Sequence, residues 1–105
     1  MVALTSSHSQ HRFRLGKLVA TPGAIAALQK SGDDVAIFLN RHRICDWSEL
    51  PPDDARANEQ AIAHEGDMNQ QGRVLSSYRT SAGEVLWLIT EADRSSTCLL
   101  TPDEY

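Results

Sequence analysis

Cysteine, aromatic residues and long apolar runs are all scarce in this chain of 105 residues. Two cysteines, Cys45 and Cys98, cannot build the disulfide framework of a small secreted domain, so they read as reduced thiols in a cytoplasmic protein. No apolar run approaches the roughly 20 residues of a membrane helix, and no membrane partner is expected. The opening Met1-Val2-Ala3-Leu4-Thr5-Ser6-Ser7 reads as lacking the basic start and long apolar region of a signal peptide. Basic residues are also few: ten Lys and Arg against fourteen Asp and Glu, a net charge of −4. Duplex binding requires several phosphates to be neutralised, which makes nucleic acid a poor partner. What remains, 41% hydrophobic and 23% charged residues, is the composition of one ordinary globular domain.

Charge is unevenly spread. The first 32 residues hold no acid beside Arg12, Arg14 and Lys17, and Arg41 and Arg43 form a second basic pair. From Asp46 to Asp67 there are seven acids against Arg56 alone. Such a face is usually solvated; as a docking surface it suits a basic protein patch better than nucleic acid.

Residues 1–11 are polar and without period, which predicts a disordered tail ahead of a domain over 12–105. Alternation from Phe13 to Val19 predicts a short strand. Thr21-Pro22 starts a helix with a side-chain cap and a first residue that needs no N–H, and Gly32 ends it. Asp33 can cap a second helix at once, with Val35, Phe38, Leu39 and His42 on one stripe. Asp46 to Leu50 is a connector that sends Trp47 and Leu50 toward the core. Pro51-Pro52 opens a third, peripheral helix over Asp53–His64, whose apolar face is only Ala55, Ala61 and Ile62. The period then falls to two. Strands are expected over Arg73–Arg79, Glu84–Thr90 and Ser96–Thr101, separated by turns at Thr80–Gly83 and Ala92–Ser95. Both faces of Glu84–Thr90 are apolar, so this strand is expected at the centre, covered on both sides, with Trp87 as core. The expected fold is α+β: an N-terminal short strand and three helices packed on a C-terminal antiparallel three-stranded meander.

Three stretches also carry a resemblance: Phe13-Arg14-Leu15-Gly16-Lys17-Leu18-Val19-Ala20-Thr21-Pro22-Gly23-Ala24, His42 with Asp46-Trp47, and Ile89-Thr90-Glu91-Ala92-Asp93-Arg94-Ser95-Ser96-Thr97 with the closing Pro102-Asp103-Glu104-Tyr105. In these the chain resembles a largely uncharacterised family of roughly 100-residue bacterial proteins. The resemblance implies cargo of plasmids and integrative elements, some of it labelled a type I restriction modification subunit. The residues do not fit that label. An adenine methyltransferase needs an acid or amide before Pro-Pro-aromatic to hold the flipped base, whereas this chain has Leu50-Pro51-Pro52-Asp53 and no Gly-rich strand-to-helix turn. Cys45 stands where the family pattern tends to have Gly before Asp-Trp, which makes it a poor choice for a metal ligand shared by the family.

Two constellations carry chemistry. His42 and Cys45 have the spacing of half a metal site, with His64 and Cys98 to complete it, but those two lie on different elements and no metal or other cofactor is expected. His42 reads instead as a core-edge histidine bonded to Asp46 or to a carbonyl; the catalytic alternative pairs His42 with Asp46 and uses Arg94. No G-x-S-x-G or other announced nucleophile accompanies them. The second constellation is the hairpin tip with Glu91, Asp93, Arg94 and Ser95. It reads as turn chemistry, with Glu91 pairing Arg94, or as a recognition loop presenting Arg94 to a carboxylate or phosphate. The leading expectation is a small non-enzymatic interaction or modulator protein of mobile genetic elements that binds a host or defence-system protein. The alternatives are a small hydrolase or nuclease using His42, Asp46 and Arg94, and a homodimer joined through open sheet edges.

Overall fold

The structure is a computed structural model that describes residues 12–105. The expected tail over 1–11 lies outside the described residues. In chain order come β1 (Lys17–Ala20), α1 (Pro22–Ser31), α2 (Val35–Arg43), α3 (Pro52–Ala63), β2 (Val74–Arg79), β3 (Val85–Thr90), β4 (Ser96–Leu100) and a closing 3-10 turn over Pro102–Glu104. The fold is α+β. The C-terminal meander forms as expected, and β1 joins it, so the sheet is four-stranded and mixed, in the order β1-β4-β3-β2. β1 runs parallel to β4, with Lys17 opposite Ser96 and Ala20 opposite Leu99. It begins only at Lys17 because Gly16 takes a left-handed conformation (φ +66°), which breaks the extended run expected from Phe13.

Local chemistry explains the helix boundaries. The Thr21 side chain accepts from the Ala24 N–H at the start of α1, and Gly32 (φ +74°) closes that helix by returning its N–H to the Leu28 carbonyl. Asp34, one residue after the expected Asp33, caps α2 through the Ala36 N–H, 2.9 Å away. Asp33 instead reaches across to the Ser81 N–H, 2.8 Å away, and this bond holds its carboxyl below the usual range. The start of α1 is also held from the far end of the chain. Glu104 accepts from the Gly23 N–H at 2.9 Å and from the Thr21 hydroxyl, and a Cβ on residue 23 would lie 2.6 Å from that carboxylate. The Thr21 hydroxyl, with the N–H and hydroxyl of Thr101 and the Gly23 N–H, holds Glu104 down to about 2.

Helices cover one face of the sheet. There, Ala24 and Ala27 of α1 and Phe38 of α2 pack on Tyr78, Leu86, Leu88 and Leu99. A second cluster joins Phe13, Ile62 and Val74. Between the two clusters, cross-strand register places Ser76, Thr90 and Thr97 on the same inner face, all fully buried. The expectation that β3 is covered on both sides holds only in part. Leu86, Leu88 and Thr90 face the helices; on the opposite face Ile89 is buried, while Trp87 is only half-buried, edge-on to Tyr105 with ring centroids 5.6 Å apart. No described helix is long and apolar enough to cross a membrane.

The two edges of the sheet differ. α3 lies beside β2, where the Asn58 side chain gives to the Leu75 carbonyl at 2.6 Å and accepts from its N–H at 3.0 Å. Glu49 accepts from the Arg79 N–H at 2.9 Å. On the other side, the N–H groups of Lys17 and Thr21 point to Ser95 and Leu99 of the β4 segment, at 3.0 and 2.9 Å. Because successive residues alternate, Leu18 and Ala20 turn their backbone groups away from β4.

Gly16 marks the tightest contact of the N-terminal segment. A Cβ there would sit 2.4 Å from the Arg94 carbonyl oxygen, against backbone that cannot yield, and φ is already positive. Gly16→Ala is expected to cost at least about 2 kcal/mol, read as a lower urea midpoint at unchanged m-value.

Candidate functional site

The end of α2 carries His42 into the sheet, where the residue is 0% exposed. Its Nδ1 lies 2.5 Å from Ser76 Oγ and its Nε2 lies 2.9 Å from Thr90 Oγ1. Thr90 Oγ1 is 2.6 Å from Thr97 Oγ1, which is 2.8 Å from the Leu15 carbonyl. That carbonyl can only accept, so Thr97 gives it the one hydroxyl proton available. Thr97 must then accept from Thr90, and Thr90 from His42 Nε2–H, which leaves Nδ1 to accept from Ser76. The polarity of the whole chain follows, and His42 is the neutral Nε2–H tautomer. Burial, reinforced by the nearby Arg94 charge, pushes the imidazole down to about 3.

Asp46 is not its partner, contrary to the reading that paired them. The Asp46 carboxylate takes Arg41 Nε at 2.6 Å and the Ser48 hydroxyl and N–H at 2.6 and 3.1 Å. Burial opposes its ionisation, but the Ser48 bonds and Arg41 prevail and hold it below the usual carboxylate range. Its carbonyl accepts from Tyr78 Oη at 2.8 Å, which ties the connector to β2. Trp47 is half-buried as the connector's expected inward residue: its ring packs on the Phe13, Ile62 and Val74 cluster, edge-on to His42, and its Nε1–H goes to Glu59 at 2.9 Å.

Arg94 does not extend from the hairpin tip; it is 7% exposed and folds inward. Nε and Nη2 grip Glu65, the latter at 2.7 Å, and Nη1 gives to the Gly72 and Glu91 carbonyls at 2.6 and 3.0 Å. The expected pairing with the Glu91 carboxylate is thus replaced by a bond to its backbone. The same guanidinium lies over the Phe13 ring at 5.7 Å. Its backbone is left-handed (φ +61°), in a turn closed by its own N–H to the Glu91 carbonyl at 2.9 Å. Of the other tip residues, Asp93 accepts from the Ser95 N–H at 2.9 Å, and this bond and the Ser95 hydroxyl hold its carboxyl low. Glu91, Asp93 and Ser95 remain exposed.

His42, Asp46 and Arg94 therefore do not converge on one open site. Nor do the four residues weighed for metal: His42 is occupied on both nitrogens, and Cys98 faces away from Thr97 on the opposite side of β4. No group of three metal-ligating side chains comes together among the described residues.

The open concavity of the fold is elsewhere. A cleft of about 790 Å³ runs along the start of β1, lined by Phe13, Arg14, Leu18, Arg43, Met68 and Arg94 among others. Sequence reasoning noted Arg14 and Arg43 only as charges and passed over Glu65, Thr90 and Thr97. Alternation along β3 already set Thr90 on the inner face with Leu86 and Leu88, and that was a usable signal. Glu65, 29 residues from Arg94, gave none. No family model, curated protein or solved structure matches the chain.

Two outcomes follow. Arg94→Ala strands Glu65 and two carbonyls and is expected to cost about 3 kcal/mol in urea unfolding, where a tip-exposed arginine would cost almost nothing. The His42 pKa is about 3 when folded and near 6.5 when unfolded, so between those values the unfolded chain binds the extra proton. This contribution to stability is complete above about pH 6.5 and is lost as pH falls toward 3, by on the order of 5 kcal/mol in total. Histidine ¹⁵N shifts should show His42 as the untitrated Nε2–H form from pH 5 to 8.

Proposed function

We propose that this chain is a small, non-enzymatic interaction protein that binds another protein along the open edge of its sheet. The observation that carries this reading is the unequal treatment of the two edges. On β2, the outward groups of Leu75 and the Arg79 N–H are answered by Asn58 and Glu49. On β1, Leu18 and Ala20 turn outward with no backbone partner among the described residues, and Leu18 and Val19 are 49% and 40% exposed. Folded proteins usually blunt such an edge, because it is a template for an incoming strand. The resemblance to cargo of plasmids and integrative elements makes a host or defence-system protein the partner class and modulation the role. The hydrolase or nuclease alternative needs His42, Asp46 and Arg94 around one substrate, and the separate commitments of these residues speak against it.

A photo-crosslinking side chain placed at Val19 or at Ile37, which is 51% exposed on α2, tests this in the native host. A discrete protein adduct is expected from Val19 and not from Ile37. No adduct from Val19, or the same adducts from both, would overturn the reading.

A further inference from the structure

We infer that the β1 edge and the cleft at its start form one site for an extended, acidic peptide segment, added to the sheet as a fifth strand. This rests on the interaction reading above and names the chemistry of the partner. Leu18 belongs to both features: it lines the cleft, and its outward backbone groups lie on the free edge. A segment that pairs with Leu18 and Ala20 gains up to four backbone bonds and is then carried along the cleft wall.

Charge selects the segment. The cleft is lined by four arginines, Arg12, Arg14, Arg43 and Arg94, against Glu65 and Asp93. Two of the four are neutralised, Arg12 by Glu59 at 3.0 Å and Arg94 by Glu65 at 2.7 Å. Asp93 is turned to the Ser95 N–H. Arg14 and Arg43 have no ion pair among the described residues, and Arg43 Nε is buried without a hydrogen-bond partner. Lys17 adds a third cation at the first residue of β1. A chain of net charge −4 thus presents uncompensated positive charge beside its open edge. Carboxylates at alternate positions of an extended segment would all face the cleft and answer Arg14 and Arg43, while the apolar residues between them turn to the other face of the sheet, beside Val19, which is 40% exposed.

The test uses the full chain and two capped octapeptides, one alternating glutamate with valine and the other lysine with valine. The acidic peptide is expected to bind at least about tenfold more tightly, and to weaken as salt is raised. In hydrogen exchange it should slow the Leu18 and Ala20 amides, which face out, and leave the Thr21 amide, already bonded to Leu99, unchanged. Ala20→Pro removes one outward N–H without touching the β1–β4 ladder, and Arg14→Glu with Arg43→Glu reverses the charge. Each should weaken binding about tenfold with the melting temperature held. Should Ala20→Pro fail to fold, the amide protection and the charge reversal still decide. Equal binding of both peptides, or binding without slowed Leu18 and Ala20 exchange, would overturn the inference. So would displacement of the acidic peptide by an equal concentration of single-stranded DNA. Protection of both amides without peptide in a dimeric chain would overturn it in favour of a second copy. A discrete Val19 adduct alongside any of these failures would leave the broader interaction reading standing and remove only its acidic occupant.

Discussion

The His42 ring bonds α2 to two strands at once, and the hydroxyls beyond it extend that connection to the N-terminal segment. Ser76 belongs to β2, Thr90 to β3 and Thr97 to β4, while the Leu15 carbonyl that ends the relay lies just ahead of β1. Burying a polar group without a partner costs far more than the net gain of one hydrogen bond, so every link has a single acceptable orientation. Apolar packing alone would tolerate small slips of helix against sheet. The relay does not, because moving any element leaves a proton without an acceptor. The arrangement also explains why this histidine is unsuited to catalysis: both nitrogens are spent, no water reaches the ring, and the imidazole stays neutral through the physiological range.

Arg94 fastens the same region from outside. Its guanidinium joins the hairpin tip to Glu65 at the end of the third helix, to Gly72 before β2 and to the Phe13 ring, while its backbone fits against Gly16. Stretches far apart in the chain meet in pairs in space: Phe13-Arg14-Leu15-Gly16 with the Asp93-Arg94-Ser95 tip and Thr97, and Thr21-Pro22-Gly23 with Glu104. Cys45, too, has φ +63°, the conformation a glycine takes without strain. These pairings give each stretch a structural reason to be what it is.

Most of the fold was legible because its signals are local. Helix caps at Thr21 and Gly32, the change of period after Gly66 and the hairpin turns all act over a few residues, and those elements stand where the sequence placed them. What was not legible depends on distant partners. Nothing near Thr90 or Arg94 says that one faces a histidine 48 residues away and the other a glutamate 29 away. A charged residue in a turn reads as exposed until the residue it folds onto is known. The same limit made the Asp46 to Asp67 acids the expected docking charge. In the fold, Glu59 and Glu65 are taken by Arg12 and Arg94, while the uncompensated charge beside the open edge is positive.

The polar relay and the open edge are two consequences of one economy. A domain this small has little sheet surface for apolar burial, and much of the β1 end of the inner face is given to hydroxyls. Residues 12–16 are held by Phe13 and Leu15 in the small cluster with Ile62 and Val74, and also by specific bonds, to Thr97 and around Arg94. That fixes the start of β1 in register with β4 through backbone bonds on one side, and among the described residues no element covers the other. An edge held this firmly needs little ordering when a segment adds to it, so less of the gross interaction is lost on binding. Rigidity bought inside the fold thus becomes preorganisation at its surface, and it does so at the edge where Arg14, Lys17 and Arg43 leave their charge unanswered.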